Sequence, residues 1–302
     1  MTTTPDTLLV TGASGHLGSA VLHHLLDTLQ IPAQRIVAAS RKPAELSGLA
    51  ARGVAVRKAN FDDVAGLHEA FRGVQRLLLI STDRLDAPGV RLAQHRAAVT
   101  AAVRAGVQHV VYTSMPKPGT SLVTFAPDHA GTEAALAESA LPGWTVLRNH
   151  WYFENLLHAM PGAIASGQWF KATGDGKAAD ISRDDLARAA AVALASGDRA
   201  KTTYTLSGTR AYSSAEVAAL VSRAVGKPIR VVPVSIEDLV KGMTTHGLPE
   251  PIARVFASFD ANTAAGQFGD VTTDFRKLTG RDPQPFEAWV DANKAALAGA
   301  KR

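Results

Sequence analysis

The stretch Leu8-Leu9-Val10-Thr11-Gly12-Ala13-Ser14-Gly15-His16-Leu17-Gly18 is an apolar run that delivers three glycines at the spacing G-x-x-G-x-x-G. The helical period Val21, Leu22, Leu25, Leu26, Leu29 follows directly. That order suits a dinucleotide pyrophosphate. Gly12 permits a tight turn out of a strand, Gly15 lets the main chain approach phosphate, and Gly18 lets the helix pack closely on the sheet. An ordinary glycine-rich turn is the alternative, and the strand and helix patterns on either side argue against it. Ser14, His16 and Leu17 lie between the glycines and are expected to share in holding the cofactor.

Working outward, short β-branched runs alternate with helical patterns. The strands are expected at 36–39, 54–57, 77–80, 109–113 and 145–147, with helices near 43–52, 63–72, 90–105 and 128–140. This alternation predicts an α/β fold, a Rossmann-type doubly wound parallel sheet with helices on both faces, in which ligands bind beyond the carboxyl ends of the strands. Pro161, Gly162 and Gly167 mark a break, and Gly174-Asp175-Gly176 a strong turn. A helix near 183–196 is opened by Ser182 and Asp185 in a capping-box pattern. Further elements are a strand at 203–206, a helix at 214–225, a strand at 229–234, and helical stretches at 235–260 and 284–299. Residues 1–160 are therefore expected to form an NADP-binding Rossmann domain. Residues 161–302 are expected to form a small, mostly helical C-terminal lobe, with about 180–210 returning to the sheet.

With 302 residues, 46% of them hydrophobic and 20% charged, the chain is long enough for a large core, since domains commonly span roughly 100 to 200 residues. No apolar stretch reaches the roughly 18 residues that a membrane span needs, and the start lacks a basic region followed by an apolar core. The expectation is a soluble, cytoplasmic protein. The lack of cysteine rules out disulfides and thiolate chemistry. The formal net charge of +5 comes from scattered residues without a basic stripe, which argues against nucleic acid and suits a phosphorylated nucleotide.

The second strand is followed by Ser40, Arg41 and Lys42 where an NAD-binding protein usually places an acid. A guanidinium binds a 2′-phosphate that a carboxylate would repel, so NADPH is expected over NADH, with a merely solvated Arg41 as the alternative. Asp62, after Phe61, is placed to border the adenine or to cap a helix. Ile80, Ser81 and Thr82 should run past the nicotinamide ribose. The usual Tyr and Lys pair is missing, because Tyr112 and Lys117 are five apart with Pro116 between them. On the following helix His129 and Glu133 share a face, and His129 is a candidate proton donor oriented by Glu133, or else an ordinary histidine near a helix start. No third ligand accompanies them, so no metal is expected. Asn149, Trp151, Tyr152 and Glu154 belong to an aromatic and amide-rich segment at a strand's carboxyl end. Asn149 can meet the nicotinamide carboxamide and the rings can wall a flat substrate, Tyr152 being the second catalytic candidate; a core cluster is the plainer reading.

Together these residues resemble the NmrA-like atypical short-chain dehydrogenases, and within them the NADPH:quinone oxidoreductase and triphenylmethane reductase branch. The matching pieces are Thr11 to Gly18, Leu77 to Ser81, Gln94-His95-Arg96, Tyr112-Thr113-Ser114, His129 with Thr132-Glu133, Leu147 to Asn155, and Gly174 to Lys177. The resemblance runs through most of residues 8 to 200. It implies NADPH as cofactor, hydride transfer to quinones or cationic dyes, Arg41 at the 2′-phosphate, and Asn149 to Glu154 along the nicotinamide. His150 and Phe153 depart from the pattern, where glycine and serine are usual, and both enlarge side chains near the expected pocket. A flat aromatic substrate is the implied partner, and a homodimer is left open. Some NmrA-like proteins are read as NADP-sensing regulators without turnover, which is the alternative function.

Overall fold

The structure is a computed structural model that describes residues 5–84 and 89–299. The outermost ends of the two expected domains, 1–4 and 300–302, lie outside the described residues. In chain order the elements are β1 (Leu8–Val10), α1 (His16–His23), β2 (Ile36–Ser40), α2 (Ser47–Ala51), β3 (Ala55–Lys58), α3 (Val64–Phe71), β4 (Arg76–Leu79), α4 (Val90–Arg104), β5 (His109–Ser114), α5 (Ala126–Glu138) and β6 (Gly143–Asn149). There follow α6 (Leu156–Ser166), β7 (Gln168–Lys171), β8 (Lys177–Ala178), α7 (Arg183–Ala195), β9 (Lys201–Leu206), β10 (Tyr212–Ser213), α8 (Ser214–Val225), β11 (Arg230–Pro233), α9 (Ile236–Thr245), α10 (Glu250–Ala264), α11 (Asp274–Thr279) and α12 (Phe286–Leu297).

The chain divides into two compact units. The first comprises residues 1–115, 128–148 and 186–204, the second 116–127, 149–185 and 205–302. In the first, a seven-stranded sheet runs β3-β2-β1-β4-β5-β6-β9, and β1 to β6 are mutually parallel. Leu9 faces Val37 and Leu77 in register. With Leu79, Val110 and Tyr112 they form one face of a buried core against Leu67, Phe71, Ala98 and Ala102 of the flanking helices. Leu8, Val10, Leu78 and Val111 on the opposite face are equally buried. A sheet buried on both faces reads as continuous apolar strands, which is why they stand out in the sequence.

Residues 186–204 join the first unit and provide most of β9, within the segment expected to return to the sheet. Arg76 at the start of β4 fixes that return. It is 1% exposed, and it donates from Nε to Leu194 O at 2.7 Å, from Nη2 to Ala193 O at 3.0 Å and from Nη1 to Asp198 O at 2.7 Å. A cation thus meets the carbonyls at and just beyond the end of α7, where Ala193 O also accepts from Ser196 Oγ at 3.0 Å.

The second unit pairs β7 in parallel with β11 and β8 antiparallel with β10. Its core brings Phe153, Met160, Ile164 and Tyr212 against Phe286 and Trp289. The expected break at Pro161 and Gly162 is corrected: both lie inside α6, which ends only at Gly167 in the left-handed conformation. In the middle of α6 the proline removes one backbone hydrogen bond and crowds the preceding turn, a cost that the burial of Met160, Ala163 and Ile164 offsets. The stretch 235–260 is two helices, α9 and α10, parted where Gly247 has φ of 91° and Pro249 caps α10.

Replacing Arg76 with Met is expected to lower stability by about 3 kcal/mol, because buried helix-terminal carbonyls lose charge-assisted partners. Urea denaturation checks this, and an unchanged midpoint would contradict the capping role.

Candidate active site

The turn after β1 is built from its glycines. Gly12 has φ of 60°, a conformation that disfavours side chains. A Cβ on Gly18 would lie 2.2 Å from Gly12 O, so α1 packs on β1 only with glycine there. A Cβ on Gly15 would meet Gly12 O at 3.2 Å, a far milder contact. Gly12, Ser14, Gly15 and His16 are exposed, while Leu17 and Gly18 are buried. No side chain caps α1 and no acid occupies its first turn, so its leading N–H groups and positive dipole end suit an anion. Ser14 Oγ lies 2.9 Å from Ser40 Oγ, which also accepts from Lys42 N at 3.1 Å, so the glycine turn and the end of β2 are tied together. Arg41 follows, exposed and with no ion-pair partner among the described residues, whereas Lys42 pairs with Glu45. These features fit a phosphorylated dinucleotide.

The exit of β4 is fixed one amide at a time. Ile80 N donates to Thr11 Oγ1 at 3.0 Å, Ser81 N to Thr113 Oγ1 at 2.9 Å, and Thr82 N to His95 Nε2 at 3.0 Å. Ile80 also packs over Gly12. Asp62 accepts from Gln94 Nε2 at 2.7 Å and lies 3.6 Å from Arg84. The helix cap considered for Asp62 belongs instead to Asp63, which accepts from Gly66 N at 2.9 Å.

His129 requires a correction. It is 3% exposed, with Nε2 2.8 Å from Arg91 Nη2 and Nδ1 2.8 Å from Tyr112 Oη. Because Arg91 can only donate, Nε2 is the acceptor and Nδ1 carries the hydrogen of a neutral ring. Burial, then the Arg91 charge, holds its pKa well below the usual histidine range. Such a ring does not suit the acid role expected of it. Nor does Glu133 orient it. Glu133 makes a bidentate pair with Arg148, at 3.0 and 2.6 Å, and accepts from Ser114 Oγ at 2.6 Å. Burial likewise pushes the neighbouring Tyr112 phenol up. Lys117 pairs with Asp270 at 2.7 Å and so does not serve as the lysine of a Tyr and Lys couple.

In the second unit, Asn149 ends β6, buried, and its Oδ1 has no hydrogen-bond partner. Thr82 Oγ1 in the first unit is orphaned in the same way. Orphaned buried atoms of this kind are expected beside a polar ligand. Trp151 and Tyr152 are half-buried and stacked at 6.2 Å, and Trp151 lies 3.8 Å from Phe259. A parallel bridge from Tyr152 to Ile181 holds this segment, and Glu154 Oε2 accepts from Arg183 N at 2.9 Å at the start of α7. Arg183 lies over the Tyr152 ring at 5.4 Å. Trp151 and Tyr152 line a cavity of about 1100 Å³ with Trp169, Phe256, Phe259 and Phe268. Phe153, one of the two enlarged positions, turns its ring onto Phe286 and Trp289 as well as bordering the cavity. His150, the other, is 1% exposed and sits 6.2 Å from Phe268. The rings of the second half escape sequence reading because they lie far apart in the chain, on β7, on α10 and in the loop after α10. Among the described residues no cluster of metal-ligating side chains occurs, and no helix is long and apolar enough to cross a membrane.

Comparison with known proteins shows the family and the fold. The NmrA-like family matches residues 4–290. Quinone oxidoreductase 2 of Escherichia coli is 37% identical over 273 residues, 90% of this chain and 93% of that protein. The crystal structure of the NADPH-dependent quinone oxidoreductase QOR2 from Escherichia coli, complexed with NADPH, superposes with a TM-score of 0.89 at 36% identity, covering 94% of this chain and 98% of that one. Triphenylmethane reductase of Citrobacter sp., complexed with NADP(H), gives 0.88 at 31% identity, covering 97% and 99%. The NAD(P)H azoreductase of Xenophilus azovorans is 29% identical, covering 97% of this chain and 100% of that protein.

The buried imidazoles set a pH dependence of stability. Burial lowers His95 to about 3 and His109 and His150 to about 4, with His129 lowered as well. Below the unfolded value the unfolded chain binds protons that the folded one refuses, so this stability is present above about pH 6.5 and is lost as pH falls. The Asp180 carboxyl, pushed up to about 7 by burial, acts the other way over the same range, but it is one group against four rings. The urea midpoint should therefore fall from pH 7 to pH 5, and a flat profile would contradict the neutral interior.

Proposed function

The chain belongs to the NmrA-like family and is an NADPH-dependent oxidoreductase; from there we propose that its acceptor is a flat, electron-poor aromatic molecule, a quinone or a dye of similar electronics, held in the cavity of the second unit. The aromatic wall of Trp151, Trp169, Phe259 and Phe268 carries this reading. Flat rings stack on such walls, and the buried Nδ2 of Asn155, which lacks a partner, offers a hydrogen bond to an acceptor oxygen.

When bound, NADPH supplies a hydrogen with its electron pair. The main chain of Gly12, Ser14, Gly15, His16, Leu17 and Gly18 receives the pyrophosphate, and Arg41 the 2′-phosphate. Asp62 would border the adenine, Ile80, Ser81 and Thr82 would border the ribose, and the unpartnered Asn149 Oδ1 would be an acceptor for the carboxamide. Trp151 and Tyr152 give the flat faces, with Glu154 anchoring their loop to α7. Tyr152 retains the catalytic place as a wall to the reacting ring, while His129 acts only by holding Tyr112 and Arg91. An electron-poor acceptor stabilises the charge it receives, so orientation is the protein's main contribution, which can supply roughly 7 to 11 kcal/mol of a barrier.

Arg41→Asp should weaken NADPH binding about 100-fold while changing NADH far less, since one charge-assisted phosphate contact is replaced by repulsion. Fluorescence titration with both nucleotides checks this, and equal loss would contradict the phosphate contact. Steady-state oxidation of NADPH with benzoquinones, naphthoquinones and triphenylmethane dyes tests the acceptor class. Tight nucleotide binding without turnover of any of them would favour a nucleotide-sensing regulator instead.

A further inference from the structure

Asp180 lies between β8 and α7 and is absent from every role assigned above. Its neighbour Ile181 donates from N to Trp151 O at 3.0 Å and accepts at its carbonyl from Phe153 N at 3.1 Å. Two main-chain bonds thus clamp the chain at Asp180 to the aromatic segment. Its side chain lines the same cavity. Although the residue as a whole is half-buried, Oδ1 has no contact with solvent and no hydrogen-bond partner. An orphaned buried carboxyl oxygen on a cavity wall is costly to keep, and such groups cluster where a ligand or a proton transfer uses them.

The other ionisable groups of this wall are engaged or open to water. Lys171 pairs with Asp260, whose Oδ2 also accepts from Ala172 N at 2.7 Å. Asp238 accepts from Ser235 Oγ at 2.7 Å, His246 Nδ1 lies 2.8 Å from Gly242 O, and Tyr212 donates to Glu287 at 2.8 Å. His158 is exposed. Burial pushes the Asp180 carboxyl up to about 7, with the charge of Lys171 acting the other way. Near neutral pH this carboxyl therefore holds a proton for a good part of the time.

We propose that Asp180 is a catalytic acid of the cavity, giving a proton to the oxygen or nitrogen that becomes negative when a quinone or an azo compound is reduced there. This rests on the reading of the cavity as the acceptor site. The quinone gains a hydrogen with its electron pair from the reduced cofactor, which leaves one oxygen negatively charged. The O–H bond of Asp180 breaks as a new O–H bond forms at that oxygen, and the carboxylate then regains a proton from water. One quinone, one NADPH and one proton give one hydroquinone and one NADP⁺. A triphenylmethane cation differs in a useful way: hydride at its central carbon gives a neutral product, and no proton enters the balance.

Asp180→Asn keeps the shape of the side chain and removes the transferable proton. It is expected to lower kcat for 1,4-benzoquinone about 100-fold while leaving kcat for malachite green within about twofold, as for removal of a general acid. Equal losses on both acceptors would mean that the side chain only shapes the cavity, and an unchanged quinone rate would mean that the proton comes from elsewhere; either result overturns the proposal. Wild-type protein that turns over neither acceptor would overturn the acceptor reading and this proposal with it. Wild-type protein that turns over both, matched by Asp180→Asn, would overturn this proposal alone. Infrared difference spectra at pH 6 give a readout independent of turnover. A carboxylic-acid C=O band present in wild type and missing from Asp180→Asn is expected, and identical spectra would overturn the proton assignment.

Discussion

Where β1 gives way to α1, the carbonyl oxygen of Gly12 and the Cα of Gly18 meet at a distance that leaves no room for a side chain. This contact sets the angle at which the first helix leaves the sheet. With it go the positive φ of Gly12, the exposure of Gly12, Ser14, Gly15 and His16, and the uncapped start of α1. The bond between Ser14 and Ser40 then carries the constraint to the end of β2, where Arg41 stands. The anion binding proposed for this turn, and the choice of the phosphorylated nucleotide proposed for Arg41, both depend on this one piece of close packing. Gly15 differs in kind from Gly18. A Cβ there would press on Gly12 O at 3.2 Å, a contact the turn could relieve by a small shift, so the proposed need for glycine at that position comes mainly from a phosphate approaching from outside.

The second consequence is a rigid exit from β4. Thr11, Thr113 and His95, drawn from a strand on each side and from α4, bind three successive amides. His95 must present a bare nitrogen to Thr82 N, and His129 a bare nitrogen to Arg91, so both rings are useful only while neutral. Buried imidazoles of this kind look like acid and base candidates in a sequence, yet here they serve geometry. The same economy appears at Arg76, a buried cation whose partners are helix-end carbonyls rather than an acid.

Much of the first unit is legible from residues alone because each signal is local. Apolar strands, glycine spacing and helix periods gave the parallel sheet, and α8 begins and ends as read because Ser213, Glu216 and Gly226 are explicit caps. Two kinds of feature are hidden. Pro161 looks like a breaker, but packing of Met160 and Ile164 keeps α6 whole, a tertiary effect with no local trace. The partners of Glu133 are likewise non-local: Arg148 and Ser114 reach it from two strands, and helical spacing pointed only to His129. The aromatic segment at Trp151 and Tyr152 was visible, whereas Phe259, Phe268 and Asp180, which share its cavity, are joined to it only by the fold.

The most direct measurement is calorimetric titration of NADPH into wild-type protein and into Gly15→Val, with thermal melting of each in the absence of nucleotide. Tight binding by wild type, and loss of about 100-fold or more in a variant that melts like wild type, is expected if main-chain amides of the turn hold the pyrophosphate. Equal binding by both proteins, or none by well-folded wild type, would contradict it.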